Sequence, residues 1–176
     1  MSRMKRFVLF AVALGAALTA AEPLPPPQVV RILNKHSGKY ITVGTRKNDA
    51  GGVELLQQSG NDSAGQKWIA RPVAPPPATS QPMPRFIFVS TSEDKAMGIR
   101  YQSSITGAPA CLWWPSYGPT ETFRVLPAED GWVYLENYTS GKVLGVFGAS
   151  TDDGAKIVQW GKNKSDDQQW KIEPVK

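Results

Sequence analysis

Residues 131–174 read GWVYLENYTSGKVLGVFGASTDDGAKIVQWGKNKSDDQQWKIEP, and this stretch decides the fold. Short apolar runs at 132–135, 143–146, 157–160 and 170–172 are separated by Ser140-Gly141, by Asp153-Gly154 and by a polar loop ending at Asp167. The runs mix β-branched with aromatic residues and carry glycine on their flanks, so the spacing predicts four strands rather than helices. A four-strand unit this small cannot close a hydrophobic core alone, and the rest of the chain supplies further copies.

The first copy spans 28–72, with apolar runs at 29–33, 40–43, 53–56 and 68–69. Asn34 followed by Ser37-Gly38-Lys39 repeats Asn137 followed by Ser140-Gly141-Lys142, and Gln66-Lys67-Trp68 repeats Gln168-Gln169-Trp170 at nearly the same offset. The middle copy, 84–127, is degenerate: its runs fall at 85–89, 96–99, 111–114 and 123–126, and Glu121-Thr122-Phe123 stands where the others carry Gln-x-Trp. Each copy ends in an aromatic residue and then a proline, at Pro72, Pro127 and Pro174. Three such units predict an all-β domain with pseudo-threefold symmetry, a six-strand barrel capped by three hairpins, which leaves no long unpaired edge.

The flanking segments are of another kind. Arg3, Lys5 and Arg6 precede an apolar run at 7–18 and the small residues Thr19, Ala20 and Ala21, so residues 1–21 read as a secretory signal peptide cleaved near Ala20 or Ala21. The run is shorter than the roughly 20 residues a membrane span needs. Proline dominates a tether at 22–27 and a linker at 72–84, and neither composition suits a central strand. The single domain at 28–176 therefore holds all three lobes, because a lobe of roughly 45 residues is not stable alone.

Composition removes several function classes. Three of the 20 Lys and Arg residues leave with the leader, which leaves 17 against 15 acidic residues. These charges are interspersed, with no basic stripe to track a phosphate backbone, so no nucleic-acid partner is expected. One His and one Cys cannot build a metal cluster, and no cofactor or catalytic motif is present. Cys111, in the run ACLWW, reads as a buried inert thiol, and His36 as a solvated turn residue. The acidic pairs Glu93-Asp94, Asp152-Asp153 and Asp166-Asp167 read as solvated turns, since glycoside hydrolysis needs carboxyls about 5 to 9 Å apart across a cleft.

The pattern Asn137, Ser140-Gly141-Lys142, Leu144-Gly145-Val146, Asp153-Gly154-Ala155, Gln159-Trp160, Gln168-Gln169-Trp170 resembles the ricin-B-type lectins, a β-trefoil family with QxW repeats. The resemblance is strong in the third lobe, clear in the first and weak in the second. It implies a non-catalytic sugar-binding protein, whose pocket needs an aromatic wall for the apolar ring face, a carboxylate for hydroxyls and an amide beside it. In that family the carboxylate usually lies between the Leu and Val of the second strand. The matching positions here are Thr42, Gly98 and Gly145, none of them acidic.

The aromatic wall is better preserved, with Trp160 in the third lobe, Trp113 in the second and Gln58 in the first. The polar position before the closing motif is Asp167, Thr120 and Gly65 in the same order. Only the third lobe keeps both, so Trp160, Asp167, Asn163, Asp153 and Gln168 form the candidate sugar site. Trp68, Phe123 and Trp170 are expected in the core, and Gln66 and Gln168 are expected mainly to brace their lobes through backbone hydrogen bonds. A second aromatic cluster, Trp113, Trp114 and Tyr117, is a candidate contact surface for a protein partner. Two functions follow: a secreted, periplasmic or extracellular, glycan-binding subunit, or a protein-interaction module such as an inhibitor or toxin-delivery subunit.

Overall fold

The structure, a computed structural model, describes residues 25–49, 51–74 and 83–175. The leader at 1–21, residues 22–24 of the tether and residues 75–82 of the linker lie outside the described residues. Among the described residues, no helix is long and apolar enough to cross a membrane.

Twelve strands fall where the apolar runs predict them. The first lobe contributes β1 (Gln28–Asn34), β2 (Tyr40–Lys47), β3 (Val53–Gln58) and β4 (Trp68–Pro72). The second contributes β5 (Arg85–Ser90), β6 (Ala96–Ile99), β7 (Ala110–Trp113) and β8 (Thr122–Pro127). The third contributes β9 (Val133–Asn137), β10 (Val143–Val146), β11 (Ile157–Trp160) and β12 (Trp170–Pro174). Pro72, Pro127 and Pro174 are each the last residue of a strand, so the linker begins one residue later than its composition suggests. A proline is admissible there because the ladder ends with it.

The first and last strands of the lobes close a ring: β1 pairs with β4, β4 with β5, β5 with β8, β8 with β9, β9 with β12, and β12 returns to β1. The second and third strands of each lobe form hairpins β2–β3, β6–β7 and β10–β11 across one mouth of the barrel. Those hairpins touch through the β3–β7 pairing and through bridges from Leu56 to Lys156 and from Pro109 to Val158. This is the β-trefoil arrangement, and it abolishes free sheet edges in the barrel.

Alternate residues of the barrel strands meet inside. Val30, Ile32, Phe88, Phe123, Leu135, Trp68 and Trp170 join Ile41, Leu55, Met97, Leu112, Leu144 and Ile157 from the hairpins in one cluster. The closing tryptophans also tie barrel to cap, because Trp68 Nε1 donates to the Ile41 carbonyl (3.3 Å) and Trp170 Nε1 to that of Leu144 (2.9 Å). Phe123 fills the same place in the second lobe without a polar atom to satisfy.

The recurrent Asn and Gln residues of the sequence pattern are buried and join lobe to lobe. Asn34 accepts from the His36 and Ser37 amides and donates to the Asp167 carbonyl (2.8 Å); Asn137 does the same with Thr139, Ser140 and the Thr120 carbonyl (2.9 Å). Gln57 donates to the Ser150 and Asp152 carbonyls, and Gln159 to those of Ser103 and Ile105. Each therefore organises a hairpin turn or loop that belongs to a different lobe, the reciprocal satisfaction that buried polar groups require.

Cys111 is buried on β7, and burial pushes its thiol up to about 12. We expect a thiol reagent at about pH 8 to leave Cys111 unlabelled in the native protein and to label it in denaturant. Rapid labelling of the folded protein would contradict this packing.

Candidate functional site

In the third lobe β10 delivers Gly145 and β11 ends on Trp160, while a 3₁₀ turn, Asp166–Gln168, brings the polar loop back between them. Together they line a cavity of about 340 Å³ whose walls include Phe147, Trp160, Asn163, Asp167 and Gln168. Trp160 is 43% exposed, so its ring is available as a platform.

Gly145 is the key to this cavity. A Cβ added there would stand 3.2 Å from Asp167 Oδ2 and 3.1 Å from Gln168 Cγ. The Asp167 carboxylate thus occupies the space into which a side chain at 145 would project. An acid at the strand position and an acid at Asp167 are alternatives, and this lobe has the second. Asp167 is positioned from both ends: Asn34 of the first lobe holds its carbonyl, and the Ser165 hydroxyl lies between Asp167 Oδ1 and Asn163 Oδ1. Among the described residues Oδ2 has no hydrogen-bond donor, and neither does the Asn163 side-chain amide nitrogen have an acceptor. The site therefore presents one acceptor and one donor beside an aromatic platform, the complement of vicinal hydroxyls on a partly apolar ring.

The other two candidates have different places. Gln168 is buried; its Oε1 accepts from the Asn163 backbone N–H (2.9 Å) and its Nε2 donates to the Gly161 carbonyl (3.0 Å), so it pins the loop that follows Trp160. Asp153 lies outside this cavity. It faces the first lobe, where Lys39 Nζ at 2.7 Å and the Ser59 amide at 2.7 Å hold it, and the Lys39 hydrogen bond keeps its carboxyl below the ordinary 3.8.

The second lobe repeats the cavity. Gly98, Ile99, Trp113, Ser116, Thr120 and Glu121 stand at the same spacing as Gly145, Val146, Trp160, Asn163, Asp167 and Gln168, and they line a cavity that is also about 340 Å³. Its chemistry differs. Glu121 takes the bracing glutamine's place but has nothing to donate, so the chain turns two N–H groups and a hydroxyl toward it: the Ser116 amide (3.0 Å), the Ser116 hydroxyl (2.9 Å) and the Tyr117 amide (2.8 Å). Trp113 and Trp114 line this cavity together with Tyr101, whereas Tyr117 lines a separate groove with Pro25, Pro26, Pro27 and Arg71. In the first lobe the matching space is taken by Thr42, whose hydroxyl accepts from Gln66 Nε2 (3.0 Å).

Sequence reasoning missed Phe147, Tyr101 and Asn34 at these sites, and treated Glu121 only as a lapse in the repeat. The twin glycines Gly98 and Gly145 were the available signal, since a missing side chain at a repeated site position asks what fills the space. Among the described residues no three His, Cys, Asp or Glu side chains gather as metal ligands.

The fold and the repeated site define a β-trefoil protein. Residues 119–176 match the family model described as ricin-type beta-trefoil lectin domain-like, which covers the third lobe and the end of the second and bears out the resemblance carried by the repeat. Among solved structures, a designed threefold-symmetric protein, ThreeFoil, is 26% identical with a TM-score of 0.72, over 84% of this chain and 99% of that one. An exo-beta-1,3-galactanase from Clostridium thermocellum matches over 88% of this chain but only 32% of its own, at 23% identity and a TM-score of 0.74. A ricin B-like lectin from Macrolepiota procera, solved in complex with lactose, matches at 15% identity and a TM-score of 0.67, over 87% of this chain and 99% of that one. No curated protein matches the sequence.

Proposed function

We propose that this protein is a secreted, non-catalytic carbohydrate-binding β-trefoil whose sugar pocket is the third-lobe cavity. The observation that carries this reading is the Asp167 carboxylate standing in the space left by Gly145, beside the half-exposed Trp160 ring. The sugar's apolar face rests on Trp160, its hydroxyls donate to Asp167 Oδ2, and the Asn163 amide donates to a neighbouring oxygen. The lactose complex of the Macrolepiota procera lectin supports a glycan as the ligand class on the shared fold. One shallow platform gives weak binding per site, so a glycan-coated surface, or a larger assembly that repeats the subunit, supplies the working avidity.

The test is a broad glycan array with the mature chain beside Trp160→Ala. The wild type is expected to bind, and the variant to lose at least about tenfold while keeping its melting temperature, because a half-exposed ring contributes little to the core. Normal binding by the folded variant would move the site elsewhere. No binding by the wild type on such an array would leave the protein-interaction reading in its place. Export is checked by N-terminal sequencing of the secreted chain, expected to start at Ala21 or Glu22.

A further inference from the structure

The second-lobe cavity shares its frame with the third-lobe site but not its hydrogen-bonding capacity. The Glu121 carboxylate is only 5% exposed, and both its oxygens already accept, Oε1 from the Ser116 amide and hydroxyl and Oε2 from the Ser116 and Tyr117 amides. Such a group has few lone pairs left for sugar hydroxyls, and the donors it accepts from are all uncharged. Thr120 stands where the third lobe has Asp167, so no second carboxylate is offered. The walls are aromatic: half-buried Trp113, Trp114 at 77% exposed and Tyr101 at 59% exposed. Tyr101 holds φ +56°, in a loop where the third lobe places Gly148 at φ +65°; a tyrosine in the left-handed region is uncommon, and here it sets a ring at the cavity.

The charges around the cavity leave Glu121 uncompensated. Lys95 Nζ lies 5.3 Å from the Trp114 ring centroid but is paired with Glu93 (3.3 Å); the Arg100 guanidinium lies 5.5 Å from the Tyr101 centroid but is paired with Asp49 (3.5 Å). Both rings thus already lie beside a cation. Among the described residues no Lys, Arg or His is within ion-pair distance of Glu121. A buried carboxylate without a counter-charge, in a cavity lined by three aromatic side chains, calls for a cation that needs no hydrogen bonds.

We propose that the second-lobe cavity binds a quaternary ammonium group of the choline type, held by the rings of Tyr101, Trp113 and Trp114 and by the charge of Glu121. The cavity volume of about 340 Å³ admits a trimethylammonium head. This site is independent of the glycan pocket proposed for the third lobe.

The experiment titrates the mature protein with choline and with its neutral isostere 3,3-dimethyl-1-butanol, read by the tryptophan indole NMR signals and by calorimetry. Choline is expected to bind saturably and roughly tenfold more tightly than the isostere, since only the cation gains from the ring faces and the carboxylate. Glu121→Gln, which restores the glutamine of the other two lobes and should fold, is expected to lower choline affinity about tenfold and to erase most of the preference over the isostere. Tyr101→Ala removes an exposed wall, provides a second variant should Glu121→Gln not fold, and should weaken choline similarly. Trp160→Ala should leave choline binding unchanged while glycan binding is lost, so failure of one site is distinguishable from failure of the other. Equal binding of choline and the isostere, no saturable choline binding, or undiminished choline binding by folded Glu121→Gln would each overturn the proposal.

Discussion

Trp170→Ala is expected to destabilise the protein by about 3–5 kcal/mol, the range for emptying an indole from a packed core. Trp170 is fully buried, sits where barrel and cap meet, and its Nε1 donates to the Leu144 carbonyl at 2.9 Å. Truncation therefore leaves a cavity and an unpaired carbonyl together. Trp170→Phe keeps most of the ring and removes the donor; it should cost about 1–3 kcal/mol, the penalty of a buried acceptor without its partner. The second lobe already carries Phe123 at this position, so the ring alone is compatible with the frame. Urea denaturation of the two variants measures the difference. For a domain of this size the alanine change corresponds to a melting shift on the order of 10 °C, and a shift below about 3 °C would mean that the interior repacks around the loss.

The second large effect concerns Gly145. Installing the carboxylate that ricin-B-type lectins usually carry at this strand position, Gly145→Asp, is expected to abolish rather than improve glycan binding. Its Cβ would stand 3.2 Å from Asp167 Oδ2, so two carboxylates would compete for one space. Asp167→Gly alone should lower affinity about ten- to a hundredfold, the worth of one or two charge-assisted hydrogen bonds. The double variant Gly145→Asp with Asp167→Gly exchanges the two positions and is expected to recover part of the binding. Additive losses in the double variant would show that the positions are not interchangeable. Glycan titration by calorimetry supplies all four corners of the cycle.

The strands were legible because their signals are local. Runs such as 143–146 and 157–160 alternate with Gly-containing turns, and the copy in 28–72 shows that the unit repeats. The closing Trp68 and Trp170 were recognisable as core because each recurs at an equivalent place. The site was harder to read because its groups meet across elements. Position 145 shows no acid, and only the folded chain reveals that the turn Asp166–Gln168 brings one into its space. Asp153 is close to Trp160 in sequence, yet the structure turns it to Lys39 and Ser59 of another lobe. Glu121 looked like decay of a Gln-x-Trp motif; its local hydrogen bonds and its lack of a counter-charge depend on where loop 114–120 runs, which no spacing rule encodes.

The pairing of β1 with β12 joins the two ends of the described chain along five residue pairs, from Val30 with Pro174 to Asn34 with Trp170. During synthesis β1 can pair early with β2 and β4, but its longest ladder waits for β12, more than 130 residues further along the chain. Completion of the barrel is therefore a late, long-range event, with the slow closure that contact order predicts. A chain arrested before Trp170 lacks both the seam and the ring that plugs it. The strand Trp170–Pro174 is thus both wall and lock: until it docks, the barrel has an open side.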